Sequence, residues 1–372
     1  MRVRFRTSGR TLGSLLRTRA ALGLRPAMAP VMIFLPLGMV LGPAGTRIIG
    51  TDALAHLDVV ISIVLATLGV FIGIAAGTQR SAGRLAAAST LEAAITVVVV
   101  GGATYLLLRS WGMPSLVPHA LVALVLGLCA SASAAAAVGE GDERTRRIAA
   151  RVADLDDVMP IVVGGGVLAS IAAGETPALA AAGLSIGLGA AIAVSGWLLF
   201  ERAEGAERDV FVLGTLALLG GSAAYLDTSP LLAGLSAGML WARAPGQTEH
   251  VVATHLRKVQ HPLVVLLLVT AGASLQPTLA GIWLFAPYVV SRTAGKLIGG
   301  WAASRVTSGV APSDLGAYLI PPGVIGIAFA LNILQVAPDG AIPIVFAVSA
   351  GAVVSELLAL IVTPGPPDPT PV

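Results

Sequence analysis

Three carboxylates, Asp154, Asp156 and Asp157, crowd into the stretch Ala153-Asp154-Leu155-Asp156-Asp157-Val158-Met159-Pro160. The apolar run Val158–Ala173 that follows is too short to cross a bilayer, which takes about 20 helical residues. The helix is therefore expected to begin near Ile148 and to carry Asp156 and Asp157 within it. From that start Asp157 lies ~14 Å deep, near the middle of a ~30 Å hydrocarbon core. Ionisable groups at that depth are costly and mark ion or proton paths. Adjacent residues project about 100° apart on a helix, so the pair cannot face one partner. One carboxylate suits an ion cavity and the other a neighbouring helix, while Asp154, nearer the inner surface, caps or hydrates the entrance. Acids stabilising a helix N-terminus are the plainer alternative, but that needs the span to start at Val158, which its length disfavours.

Lys296 is the second chemically informative residue. The chain has 23 basic residues, and Lys258 and Lys296 are its lysines. A lysine placed in a membrane helix of an arginine-rich chain suggests a need for lysine chemistry, because arginine stays protonated where lysine can release a proton. Counted from the inner end near Ala303, Lys296 lies at ~10 Å depth and Asp156 at ~12 Å, so an Asp156–Lys296 pair across antiparallel helices is possible. Snorkelling to the interface is the alternative. Arg292, Glu356 and Glu92 read as a structural ion pair among packed helices, and Gly295 and Gly299 as a close-packing face beside Lys296. His250, His255 and His261 fall in the longest inner loop, either as solvated residues or as a pH sensor; His56 and His119 sit at the outer edge without a role.

The elements that position these groups are membrane helices. Of the 372 residues 56% are hydrophobic and 12% charged, with mean hydropathy +0.87, against about 25% charge in soluble domains. The 44 glycines suit close helix packing and the 23 prolines suit broken helices. One cysteine, Cys129, excludes a disulfide framework or cysteine-rich metal site. The basic pI, about 9.4, follows from the sidedness of arginine and gives no reason to expect nucleic acid as a partner.

Twelve apolar segments can be drawn: Ala27–Pro43, Leu57–Gly77, Leu85–Leu108, Leu116–Val138, Ile148–Ile171, Pro177–Phe200, Val210–Tyr225, Ser229–Trp241, Pro262–Leu275, Leu279–Ala302, Asp314–Leu334 and Ile342–Val362. With both termini inside, the basic residues collect on the inner side, leaving Arg47 and Arg109 outside, as the positive-inside rule requires. Residues 1–26 form a basic cytoplasmic arm suited to anionic lipid; a transit peptide is the other reading. Residues 364–372 are a proline-rich tail. Two segments are interrupted at mid-depth, the fourth by Cys129-Ala130-Ser131-Ala132-Ser133-Ala134 and the eleventh by Pro321-Pro322-Gly323. Paired interruptions of this kind build transporter sites from half-helix ends.

These residues resemble the sodium/proton antiporters of the cation:proton antiporter superfamily, in the electrogenic branch with paired aspartates. The likeness runs through Phe34-Leu35-Pro36-Leu37-Gly38-Met39-Val40-Leu41-Gly42-Pro43, Ser131-Ala132-Ser133, Asp156-Asp157-Val158, Pro230–Gly238, Arg292-Thr293-Ala294-Gly295-Lys296 and Gly323–Ala328. The resemblance implies an all-α inverted-repeat fold of about 12 transmembrane helices with two crossing broken helices. It implies a transmembrane domain over 27–363, with core helices within 84–171 and 279–363. Dimer or panel helices would lie within 27–77 and 209–275, and a linking helix at 177–200. Asp157 would alternately carry a cation and protons, and Asp156 would pair with Lys296 until the cation displaces it. Asp157, Asp156, Ser131 and Ser133 are the candidate Na+ ligands. The implied protein is a homodimer in the bacterial inner membrane, with no cofactor beyond the transported ions.

Other functions remain open. A sodium-coupled organic-anion symporter would need a roomy polar cavity and more amides than Asn332 and Gln335 near the crossing. A K+/H+ antiporter shares every feature above. An intramembrane aspartyl protease would need aspartates on two converging helices, and these two are adjacent; a transport-dead sensor would not need Asp157 and Lys296.

Overall fold

The computed structural model describes residues 30–78, 83–111, 118–134, 143–172, 178–307 and 314–362. The basic arm, Arg80 and the proline-rich tail lie outside them. The chain opens with α1 (Pro30–Leu41), α2 (Thr51–Thr78), α3 (Gly83–Trp111), α4 (His119–Ser131), α5 (Glu143–Asp156) and α6 (Val158–Ala172). After α7 (Ala178–Arg202), α8 (Gly205–Tyr225), α9 (Pro230–Trp241) and α10 (Thr248–Ala273) come α11 (Leu279–Val306), α12 (Leu315–Tyr318), α13 (Val324–Val336) and α14 (Pro338–Val362).

Among the described residues five helices are long and apolar enough to cross a bilayer: α2, α3, α10 and the main parts of α7 and α14. Helix α11 is as long but carries Arg292 and Lys296 in its middle. Its lipid-facing tryptophans, Trp283 and Trp301, are ~27 Å apart along the axis, close to the hydrocarbon thickness. Trp283 packs edge-on to Trp111 of α3 at 5.2 Å and Arg305 lies over Trp301 at 5.0 Å, as interfacial aromatics do.

The helices pack in two groups. In one, α2 lies along α9, α10 along α1, and α8 between α2 and α7, around Val70, Leu216, Leu219, Trp241 and Leu256. Glycines allow the α2–α9 contact: a Cβ on Gly234 would stand 2.0 Å from the carbonyl oxygen of Ala66, and one on Gly69 would stand 2.3 Å from that of Leu231. In the other group α11 packs on α3 and α14, with α4, α5, α6, α12 and α13 around them.

Two expectations change. Helix α10 starts well before Pro262, so the supposed loop holding His250, His255 and His261 is helix. Val252 and Leu256 repeat at helical spacing and are buried, which anchors that extension. The span carrying the aspartates begins at Glu143 and breaks at Asp157. Pro160 explains the break: it has no N–H for the Asp156 carbonyl four residues back, and its ring crowds that oxygen.

Candidate functional site

The two interrupted segments meet where their helices stop. Helix α4 ends at Ser131, and Ala132 is extended (φ −67°, ψ 131°). The Ser131 hydroxyl donates back to the Leu128 carbonyl at 2.9 Å, a local bond that competes with helix continuation. On the other chain segment, Pro321 and Pro322 force the residue before each into extended backbone, so α12 cannot run on into α13. The extended pieces pair as an antiparallel bridge between Ser133 and Pro322. Ala134 N–H donates to the Pro321 carbonyl at 3.0 Å, and Gly323 N–H donates to that of Ala132 at 3.3 Å. A side chain at Gly323 would press on the Ser133 backbone at 2.9–3.0 Å, so the crossing needs glycine there.

Helix α11 runs beside this crossing and presents two buried cations to it. The Arg292 guanidinium donates to the carbonyls of Ile320 (2.5 Å), Ala132 (3.1 Å) and Pro321 (3.4 Å). It therefore fastens both broken segments through carbonyls that lost their helical partners. One turn on, the Lys296 ammonium donates to the Ser131 carbonyl. It also stands 3.3 Å from the Asp156 carboxylate and 3.2 Å from that of Glu92, with all three side chains fully buried. Asp156 accepts from the Ser133 N–H at 3.4 Å, and Glu92 accepts from the Thr96 hydroxyl at 3.0 Å.

Asp157 is 7% exposed, and one of its carboxylate oxygens is buried without a hydrogen-bond partner, as is the Ser133 hydroxyl. Unpaired buried oxygens are costly unless something visits them. Two adjacent breaks thus concentrate carboxylates, a hydroxyl and freed carbonyls where an ion with oxygen preference can be held.

The structure joins Asp156, Lys296, Glu92 and the backbones of Ser131 and Ser133 by direct contacts, with Asp157 next in the chain and Arg292 on the Ala132 carbonyl between the two serines. The ion pair expected among Arg292, Glu356 and Glu92 takes another form. Glu92 pairs with Lys296; Arg292 binds carbonyls; Glu356 is buried on α14. Glu92 lies ~10 Å into the third segment, the same depth as Lys296, which is the signal that would have paired them. Gly295 and Gly299 pack against Thr96 and Glu92, bringing α3 close enough for that pairing. Pro160 escapes a reading by motif because its effect falls on the carbonyl four residues upstream.

No family model matches the chain, and no curated protein sequence matches it. Among solved structures it is similar to the sodium/proton antiporter MjNhaP1 from Methanocaldococcus jannaschii, determined at pH 8. The TM-score is 0.63 over 94% of this chain and 96% of that one, at 16% identity. The chain has the sodium/proton antiporter fold. Its crossed breaks and the α11 cations are accordingly features of a multi-pass, all-α membrane architecture.

Proposed function

We propose that this protein is a secondary transporter, not an enzyme, exchanging a monovalent cation, Na+ first, for protons by alternating access. One observation carries the reading. A buried carboxylate with a free oxygen, Asp157, adjoins an Asp156–Lys296–Glu92 cluster at the crossing of two broken helices. The likeness in fold to a sodium/proton antiporter supports it.

A carboxylate that cannot hold a proton and a cation together makes the two compete. Exposing it alternately to the two sides turns competition into exchange. A hard cation takes oxygen ligands; Asp157, Asp156 and the Ser131 and Ser133 hydroxyls supply them. As the cation draws Asp156 away, Lys296 keeps Glu92 and the Ser131 carbonyl as partners. Lys296 takes part in proton movement, and the exchange is electrogenic. The protein works as a homodimer in the bacterial inner membrane, with both termini inside, through the group formed by α1, α2 and α8 to α10. An organic-anion symporter would need more amides near the crossing than Asn332 and Gln335.

Asp157→Asn in proteoliposomes, driven in turn by Na+, Li+ and K+ gradients, tests the assignment. Cation-driven proton movement is expected to vanish with every ion, and full residual exchange would refute the site. The wild-type response to each ion separates the Na+ from the K+ reading.

A further inference from the structure

Asn332 and Gln335 of α13 lie outside the carboxylate cluster, yet they link α13 to α2. The Asn332 amide donates to the Gln335 carbonyl oxygen at 3.4 Å, and the Gln335 amide donates to the backbone carbonyl of Asp58 on α2 at 3.0 Å. That carbonyl also accepts from the Ser62 hydroxyl at 3.0 Å. Asn332 is 2% exposed, and its own carbonyl oxygen has no partner. A buried amide satisfied on one side contributes little to stability, so its place calls for another account.

The relay borders a cavity of about 350 Å3 lined by Thr51, Asp58, Ser274, Gln276 and Gln335, among others. This cavity sits where α1, α10 and α13 end and α2 and α14 begin. Its buried wall includes Ile61 and Leu331, 5% and 2% exposed. From Gln335 down to Gly323 at the crossing is ~18 Å along α13. Along that length α13 buries Ile327, Phe329 and Leu331.

We propose that the Asn332–Gln335–Asp58 relay is the latch of the gate on this side. Latched, it holds α13 against α2 and shuts the cavity off from Asp157. Released, α13 leaves α2, and water entering from the cavity satisfies the open Asn332 oxygen. Hydrogen bonds donated by neutral amides suit a latch, since each is weak enough to open thermally. The proposal rests on the alternating-access reading above, since α2 and α13 belong to the two groups that must then move apart.

Two measurements in proteoliposomes test it, in a Cys129→Ala background. With Asp58→Cys and Gln335→Cys joined by a short, reducible bis-thiol reagent, exchange should fall to the level of empty vesicles and return on reduction. Exchange that continues across a completed crosslink overturns the latch. Separately, Gln335→Leu removes both bonds at similar size. It should raise the labelling rate of a Leu331→Cys reporter by an impermeant thiol reagent roughly two- to tenfold; an unchanged rate overturns the latch. Labelling requires no exchange, so loss of exchange in the parent protein tells against the proposed function while labelling still decides the latch.

Discussion

Two cations one helical turn apart on α11 have surroundings that differ in kind. Arg292 donates to three backbone carbonyls, contributed by both broken segments. Lys296 donates to one such carbonyl and faces two carboxylates. Carbonyls cannot leave their segments or take up protons, so the arginine end of the crossing is a fastener. Carboxylates can change partners, so the lysine end can change state. The residue types match: a planar guanidinium with several donors spans fixed acceptors, and a compact ammonium can be handed between them. One turn of helix thus separates a part that holds the fold from a part that can switch.

Breaking the fastener should have the largest effect. Arg292→Met takes the guanidinium from the Ile320 carbonyl and leaves those of Ala132 and Pro321 only their single bonds from Gly323 and Ala134; it should destabilise the protein by about 3–5 kcal/mol, read as thermal unfolding in detergent. Unchanged stability would remove the distinction between the two cations. Lys296→Gln should leave a folded protein but slow exchange by roughly a hundredfold, about 2.7 kcal/mol. It should also weaken the response to an imposed membrane potential; an unaltered response counts against lysine as a proton carrier. Glu92→Gln keeps the side-chain shape and the Thr96 contact but removes a charge. Asp156 is then the one carboxylate left to the ammonium beside the Ser131 carbonyl, and a cation must draw Asp156 from a firmer partner. Apparent cation affinity should weaken roughly tenfold, about 1.4 kcal/mol, measured as half-saturation of proton movement; unchanged affinity would mean that Glu92 is a spectator.

Much of this contrast is visible in the sequence alone. The mid-depth aspartates, the rare Lys296, the Ser131-Ala132-Ser133 and Pro321-Pro322-Gly323 interruptions and their order identify the helices that meet. What stays hidden depends on distances that no spacing encodes. Whether Arg292 finds a carboxylate or a carbonyl is decided by where the broken segments cross, and that is set by Gly323 against Ser133. Glu92 and Lys296 are 204 positions apart, and only the glycine face of α11 brings them together. The α10 extension is obscured by charged and histidine residues, although Val252 and Leu256 keep the helical rhythm.

The lysine end owes its shape to a proline, as the arginine end owes its free carbonyls to Pro321 and Pro322. Pro160 deprives the Asp156 carbonyl of its helical donor and divides α5 from α6 at Asp157. The helix resumes at once, since Ile161 N–H reaches the Asp157 carbonyl at 3.4 Å, so a single missing donor separates the observed break from a continuous helix. Pro160→Ala restores that donor. The protein should become more stable by about 0.5–1.5 kcal/mol, the worth of one hydrogen bond. Closing the break would also turn Asp157 toward a regular position about 100° from Asp156, away from the placement that leaves its oxygen open. Exchange should therefore slow, by roughly threefold, because misplacing a reacting group by a fraction of an ångström is felt in the rate. Thermal unfolding and proton-movement rates measured on the same preparation check both halves. If neither moves, the break is held by the packing of α6 on α7, α9 and α13, and the proline only accommodates it.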